Sequence, residues 1–567
     1  MRRATLRSSA GGQDRAEGDV NIAAASLNFL GIDVRGLDLD AFFSIGRLLY
    51  LAAYLGWIAL LVHTRRRVWA WGPVLLALGV WALTTFPLLR PYGLQAPTSD
   101  RLRHVWWAAT AAAGNPPWES GVVGQRTLEP LWSALVSLLA LRDPARVMTV
   151  YPFLPVLGLA ATAAALWWAF RAQPLRAMLV SFFVLLAATQ PLDHLEPFRI
   201  FWARHFLLKP NHALGLALVP VLAAVFARPL GAARALAGAA LLGLLGWVFV
   251  VDWALFCASL VCFLVLAAVR RATFVRKAEA LRLAAVLLAS ALLVAPFVLY
   301  LARHFPNAVS LSAGDPTAGS RASPWGDARP AAHSLVFLAT FDLGPHFPLA
   351  LYGALRAWRR GRRGDLVWLG VLAAAYVAWT ATAVLYTMAR ARAADEVYWF
   401  LAFAVAVHAG LGAHALVRRA AAGWRRARGA SLLATPRRLA AAVLLAWLPF
   451  TIGWWWDPPR MDGHFTAALQ PVPDDMRALA AWLRERTRGT DVVLASGDAM
   501  AWVPALSGRR VARASPGDLP TAAELRDRGV RVIVSEAPPP GATDMPPEGR
   551  VLETFRSGGI RAWLLAP

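Results

Sequence analysis

Apolar residues in this chain gather in long uncharged runs, separated by short charged connections. A helix needs about 20 mostly apolar residues to cross the hydrocarbon core of a bilayer. On that measure the runs predict spans at 43–63, 68–89, 147–170, 178–192, 213–227, 235–251, 253–269, 283–302, 334–355, 366–388, 397–417 and 439–455. Residues 1–42 are polar and mixed in charge, with no short apolar segment before a cleavage site, and read as a disordered extension. After Asp457 the pattern changes to short elements. Residues 474–488, 499–506 and 521–528 predict helices, residues 492–496, 511–514 and 530–535 predict strands, and 550–554 with 560–565 predict a hairpin. Strands alternating with helices indicate a small α/β layer arrangement. The expected fold is a polytopic α-helical membrane protein of about twelve transmembrane helices over 43–456, with a small C-terminal α/β soluble domain over 457–567.

Composition supports the membrane reading. The chain is 58% hydrophobic and 16% charged, with a mean hydropathy of +0.47. Its net charge of +24 would suggest nucleic acid in a soluble protein, but here the cations sit in short clusters between apolar runs. That placement follows the positive-inside rule, so the charge reads as topology and no nucleic-acid partner is expected. The connections 65–67, 171–176, 228–234, 270–282, 359–363 and 418–438 are basic, and they alternate with acidic or mixed ones. The rule puts the basic connections in the cytoplasm. It puts 90–146, 193–212, 303–333 and everything after Asp457 outside, together with the N-terminus. Cys257 and Cys262 lie five apart in one apolar run and predict neither a disulfide nor a zinc site. There is no Gly-x-Gly-x-x-Gly nucleotide fingerprint.

The outer loop 90–146 holds two segments of interfacial character. Residues 101–113 form an amphipathic helical pattern, and residues 128–141 are apolar but too short to span. Turn residues Gly114-Asn115-Pro116-Pro117 and Gly121 separate them. Asp100 opens the first segment, and His104 follows one turn later on the same face. Asp100 is a candidate general base, with Arg101, Arg103 and His104 as candidate substrate or phosphate contacts. It is equally read as a helix-start residue near the positive end of the dipole. Glu129-Pro130 opens the second segment, and Arg126 is within one turn of Glu129 for pairing.

Further candidates lie on the same predicted face. Asp193, His194 and Glu196 are close enough in sequence to bind a divalent cation such as Mg or Mn. Arg199, Arg204, Lys209 and His212 offer cations and donors for phosphate. The plain alternative is a solvated loop with Lys209 among lipid headgroups. Asp395 and Glu396 could meet a metal or an acceptor hydroxyl, or simply start a helix whose Tyr398 and Trp399 anchor it at the interface. Asp252, at a tight outer turn, carries the same two readings.

The run Ser99-Asp100-Arg101-Leu102-Arg103-His104-Val105-Trp106-Trp107, then Gly114-Asn115-Pro116-Pro117, then Glu129-Pro130-Leu131-Trp132, resembles the first outer loop of the GT-C superfamily of membrane glycosyltransferases. Within it the chain looks like the group of protein mannosyltransferases and lipid A aminoarabinose transferases. The resemblance extends to the many spans and to the terminal segment 476–510, through architecture more than identity. It implies a hexosyl- or pentosyltransferase in the bacterial inner membrane, drawing on a lipid-linked polyprenyl-phosphate sugar and passing it to a glycan, lipid or protein acceptor. Asp100 matches the position of the family's catalytic base. The chain departs from the family where an acidic pair often stands, because Asp100 is followed by Arg101. Two other classes compete. A lipid or polysaccharide transporter would place charges at mid-membrane or repeat one half of the chain in the other, and neither is seen in the sequence. A non-catalytic scaffold with an outer domain predicts no cavity beneath the first outer loop.

Overall fold

The computed structural model describes residues 39–85, 93–95, 100–151, 154–186, 210–275, 277–305, 343–344, 346–389, 394–428, 435–456, 469–471, 473–513, 522–536 and 551–566. The chain divides into two compact units. One comprises Met1–Ala52, Gly79–Phe153 and Pro459–Pro567, and the other Ala53–Leu78 and Leu154–Pro458. In chain order the described elements begin with α1 (Leu39–His63), a 3-10 turn at Arg67–Trp71, α2 (Gly72–Thr85) and β1 (Gly93–Gln95). Next come α3 (Asp100–Ala112), α4 (Pro130–Leu139), α5 (Pro144–Val150), α6 (Leu154–Phe170) and α7 (Pro174–Leu185). The apolar helices continue with α8 (Pro210–Phe226), α9 (Ala232–Val248), α10 (Val250–Val269), α11 (Lys277–His304) and α12 (His346–Arg360). They close with α13 (Arg363–Ala389), α14 (Ala394–Arg428) and α15 (Pro436–Trp456). The remainder is β2 (Leu469–Pro471), α16 (Asp474–Arg486), β3 (Val492–Ala495), α17 (Ala499–Ser507), β4 (Arg510–Arg513), α18 (Ala522–Asp527), β5 (Val530–Glu536), β6 (Val551–Ser557) and β7 (Ile560–Leu565).

Most predicted spans coincide with a helix over most of their described residues; a 3-10 turn opens the run 68–89, Phe249 interrupts the run 235–251, and 343–344 in the run 334–355 is a turn. The run 147–170 takes in the end of α5 and all of α6, and residues 152–153 between them lie outside the described residues. The 35-residue α14 runs on through the connection expected at 418, because Ala and Arg are good helix formers. Among the described residues, four helices are long and apolar enough to cross a membrane: Val250–Val269, Lys277–His304, Arg363–Ala381 and Val397–Ala427. Others, including α6 to α9, are apolar but shorter.

In the helical unit α14 is the central element, packed by α7, α12, α13 and α15. Phe400, Phe403, Ala404, Val407 and Ala409 are fully buried along it. Its approach to α12 depends on glycine. A Cβ on Gly412 would fall 2.0 Å from the Leu349 carbonyl oxygen, and one on Gly353 would fall 2.3 Å from that of His408. Small residues let backbones pack this closely, which is how apolar helices gain contact where lipid competes equally for their side chains. The six basic connections meet at one end of this unit. Arg363 donates to the Phe226 carbonyl at 2.7 Å and pairs with Glu279 at 2.6 Å. Arg282 donates to the Leu230 carbonyl at 2.7 Å, and Arg176 pairs with Asp365 at 3.1 Å. Arg270 bonds to the carbonyls of Trp358 and Arg359, and Arg437 donates to that of Thr64 at 2.6 Å. The charge of Arg418 reaches that of Arg176 and Arg360 through His414. The sequence pattern that assigned these connections to one side therefore corresponds to a physical cluster.

In the other unit the terminal strands form one sheet in the order β4-β3-β5-β7-β6. The pairs β3–β4 and β3–β5 are parallel, and β5–β7 and β6–β7 are antiparallel. One face buries Val492, Leu494, Ala512, Leu525, Val530, Ile533 and Leu565. The alternate residues Val493, Val511 and Val532 are fully buried as well. That explains why the strands read as continuous apolar runs, as parallel strands covered on both faces do. Two pairings with the loop segment 90–146 were not legible in the sequence. β1 pairs antiparallel with β2, Leu94 opposite Gln470. Val122 forms a parallel bridge to Val511, with Val511 N–H donating to the Gly121 carbonyl at 2.7 Å and Val123 N–H to that of Val511 at 2.9 Å. The loop thus covers the β4 edge, whose unpaired backbone groups would otherwise be exposed.

Arg509 ties this unit together. It is buried at 5% exposure, and its guanidinium donates to the carbonyls of Leu483, Arg484 and Thr487 at 3.4, 3.3 and 2.6 Å. It also donates to the Ser507 carbonyl at 2.9 Å. The Leu483 carbonyl also accepts from the Thr487 N–H at 3.0 Å, so Arg509 adds to the C-terminal cap of α16 and joins it to the end of α17. Burial pulls its pKa down, Asp491 opposes that shift and Arg484 adds to it. An arginine stays cationic regardless.

Two predictions follow from these contacts. Gly412→Leu should destabilise the full chain in detergent by about 1–3 kcal/mol through overpacking. Gly423→Leu on the same helix, where nothing lies within 4 Å of the added carbon, should be near neutral. Equal thermal midpoints for the two variants would refute the packing argument. Arg509→Ala should cost about 2 kcal/mol or more through unsatisfied buried carbonyls, read as faster hydrogen exchange across 480–510. Unchanged exchange there would remove Arg509 from the account.

Candidate functional site

Two groups of polar side chains stand out, one in each unit. In the first, α3 begins at Asp100, as the sequence predicts, and Asp100, Arg101 and Arg103 occupy its first turn. Their side chains lie outside the described residues. One turn on, His104 Nδ1 sits 2.9 Å from Glu129 Oε2. Glu129 is the N-cap of α4, with Pro130 at the first helical position, where its missing donor does no harm. The pair is largely buried, at 7% and 14% side-chain exposure, and Trp107 packs edge-on to the imidazole at 5.0 Å.

The pair corrects one expectation and sharpens another. Arg126 does not pair with Glu129. It faces Glu119 at 3.6 Å across a local antiparallel bridge, and Glu119 also pairs with Arg510 of β4. The reason is the turn, in which Thr127 N–H bonds to the Trp118 carbonyl and its hydroxyl to that of Pro117, placing Arg126 opposite Glu119. The first helix is also more enclosed than an interfacial helix with one wet face. Val105, Ala108, Ala109 and Thr110 are fully buried, and α3 packs against α4, α5 and α17. The second segment does keep an apolar face exposed, at Leu131, Leu135 and Leu138. Asn115 fixes the far end of α3, its amide donating to the carbonyls of Thr110 at 3.2 Å and Gly489 at 2.8 Å.

Chemically, the His104–Glu129 pair is an imidazole in close contact with a carboxylate. The two atoms lie within ion-pair distance, but the contact lacks hydrogen-bond geometry, and His104 Nδ1 is buried without a hydrogen-bond partner among the described residues. The sequence named both residues but not their partnership. The available signal was that Glu129 immediately precedes a proline at a helix start; its carboxylate makes no capping hydrogen bond to α4.

In the helical unit His212 lies in the first turn of α8 and Asp252 in the first turn of α10. Their side chains meet at 3.0 Å, both with no exposure, and His212 stacks on Phe249 at 4.2 Å. A Cβ on Gly215 would fall 2.6 Å from Asp252 Oδ2, so that position must be glycine for the acid to fit. Both helices run from here toward the basic end, so the pair occupies the opposite end of the unit. His212 was expected in a loop contacting phosphate, and instead it is enclosed and engaged with Asp252. Asp193, His194, Glu196, Arg199, Arg204 and Lys209 lie outside the described residues. Asp395 and Glu396 fall in the first turn of α14, where the helix dipole favours acids, and their side chains are likewise outside the description. Among the described residues no three His, Cys, Asp or Glu side chains come together.

No protein-family model and no curated protein sequence matches the chain. Among solved structures it is similar to ArnT from Cupriavidus metallidurans bound to undecaprenyl phosphate, at 14% identity over 87% of this chain and 98% of that one, with a TM-score of 0.47. The same protein in the apo state matches at 13% identity over 82% and 92% of the two chains, with a TM-score of 0.44. The Archaeoglobus fulgidus oligosaccharyltransferase, in complex with Zn and sulfate, matches at 13% identity over 82% and 68%, with a TM-score of 0.40.

The enclosed pair gives a stability prediction. Removing one partner of a buried hydrogen-bonded pair strands the other, so Asp252→Leu should cost about 2–4 kcal/mol. Adding His212→Phe should recover part of that loss, with a coupling of about 0.5–3 kcal/mol in a double-mutant cycle of thermal unfolding. Strict additivity would show that the two side chains do not act as a pair.

Proposed function

We propose that the chain is a membrane glycosyltransferase of the GT-C kind. It moves a hexosyl or pentosyl unit from a polyprenyl-phosphate donor to a glycan, lipid or protein acceptor at the extracytoplasmic face of the bacterial cell membrane. The single observation that carries this reading is local: an acid in the first turn of α3, followed one turn later by an imidazole 2.9 Å from a buried carboxylate. The sequence resemblance supplies the donor class, and the charge alternation supplies the face.

The reaction is an inverting displacement. Asp100 accepts the proton of the acceptor hydroxyl as that oxygen attacks the anomeric carbon. The bond from that carbon to the donor phosphate breaks, and its electron pair leaves on the phosphate oxygen. Arg101 and Arg103, with Arg199, Arg204 and Lys209, are the cations available to stabilise the charge that develops there. No step is routed through a metal. The terminal sheet, built into one unit with the loop that carries α3, recognises the acceptor or covers the site.

A second reading is favoured by the His104–Glu129 distance: the imidazole takes the proton, and Asp100 starts the helix. Variants in membranes supplied with a labelled polyprenyl-phosphate sugar separate the two. If Asp100 is the base, Asp100→Asn should lower transfer by about 100-fold or more, and His104→Gln by much less. If His104 is the base, the order reverses, and Glu129→Gln follows His104→Gln. Full transfer by both Asp100→Asn and His104→Gln would leave the scaffold or transporter alternatives in place of an enzyme.

A further inference from the structure

α3 carries Asp100 and His104 in its first two turns, and it is held by its last one. A helix of 13 residues is about 20 Å long, so a hold at one end acts on the other through the body of the helix. Asn115, buried at 5% exposure, is the centre of that hold. Its backbone N–H and its side-chain amide both donate to the Thr110 carbonyl, at 3.3 and 3.2 Å. Carbonyls in the last turn of a helix lack a partner in the regular ladder and need one from outside it. The same amide donates to the Gly489 carbonyl at 2.8 Å, in the turn between α16 and β3. One side chain thus joins the end of α3 to the terminal segment.

Around this amide the two backbones meet closely. A Cβ on Gly489 would fall 1.8 Å from the Ala113 carbonyl oxygen. One on Gly508 would fall 2.5 Å from the Ala109 carbonyl oxygen and 2.8 Å from the Ala113 Cβ. Gly508 ends α17 at φ 70°, the left-handed region that favours glycine, so its shape and its close approach make the same demand. Half-way along α3, Trp106 is bracketed in the same manner: a Cβ on Gly121 would fall 3.1 Å from the Trp106 Cβ and 2.6 Å from that of Pro504 in α17. Apolar burial alone tolerates small slips of one helix along another. Contacts of this kind, with a directional amide at the helix end, specify one axial register.

We propose that Asn115 is a positioning residue: its amide, seated beside Gly489 and Gly508, sets the register of α3 and so places Asp100 and His104 for proton transfer. The inference rests on the transferase reading above and holds for either choice of base. It gives the terminal segment a part in the rate of the reaction, beyond recognising the acceptor or covering the site. The test is steady-state transfer by the purified full chain with a labelled polyprenyl-phosphate sugar, alongside hydrogen exchange. Asn115→Ala should lower kcat by about tenfold or more and leave the donor KM within about twofold, because misplacing a reacting group by about 1 Å slows the step without weakening binding. Exchange across 104–112 should rise. Asn115→Gln keeps the amide on a longer arm, and it should retain the fold and lower kcat in the same sense. Leu525→Ala, a cavity in the core of the terminal sheet, is the control for lost stability alone. It should lower the thermal midpoint and leave kcat per folded molecule unchanged. Wild-type kcat in both Asn115 variants, a raised KM with kcat retained, or an equal fall of kcat in Leu525→Ala would overturn the proposal. Absence of transfer by the wild-type chain would remove the transferase reading, and this proposal with it.

Discussion

An acid withdrawn from water must have a cation or a hydrogen-bonding partner against it, because desolvating a lone carboxylate costs several kcal/mol. In this chain, with 58 basic side chains against 34 acidic ones, acids are the scarce component. The described acids at its internal joints are committed to particular partners. Asp365 holds Arg176, and Glu279 holds Arg363, fastening helix ends together at the basic side. Asp252 holds His212 at the other end. In the second unit Glu119 meets Arg126 and Arg510, joining the outer loop to the terminal sheet, and Glu129 meets His104. The cations left over fall where water or lipid headgroups can answer them.

The same scarcity explains what could be read from the sequence. Apolar runs located the spans, and alternation with turn residues located the terminal elements to within a residue or two: 492–496 is seen as Val492–Ala495 and 530–535 as Val530–Glu536. These signals are local, since a side chain's burial is set by its own helix or strand period. What escaped is long-range. Nothing near Val122 announces that it bridges Val511, and nothing near Glu119 announces Arg510. Asn115 looked like a turn residue, and it also binds the Gly489 carbonyl, 374 positions away. The Arg126 expectation failed for a related reason. Sequence proximity suggested Glu129, but the turn geometry chose Glu119.

The candidate site was legible in part. Asp100 was placed correctly at a helix start, and His104 one turn beyond it. The contact of His104 with Glu129 required the fold, because they are 25 positions apart, across the rest of α3 and a turn-rich loop. That pairing changes how the loop is understood. A lone acid where an acidic pair was expected is weak support for catalysis. An acid with an imidazole one turn away, itself 2.9 Å from a buried carboxylate, offers two candidate proton acceptors on one helix packed by α17.

The account stands or falls on whether this chain breaks the bond between a sugar and a polyprenyl phosphate. The direct measurement is release of polyprenyl phosphate by the purified wild-type chain, reconstituted with a polyprenyl-phosphate sugar and cell-envelope acceptors, with the anomeric configuration of the product determined. The account predicts acceptor-dependent release with inversion at the anomeric carbon. Donor left intact in the presence of every envelope fraction, or product with retained configuration, would contradict it.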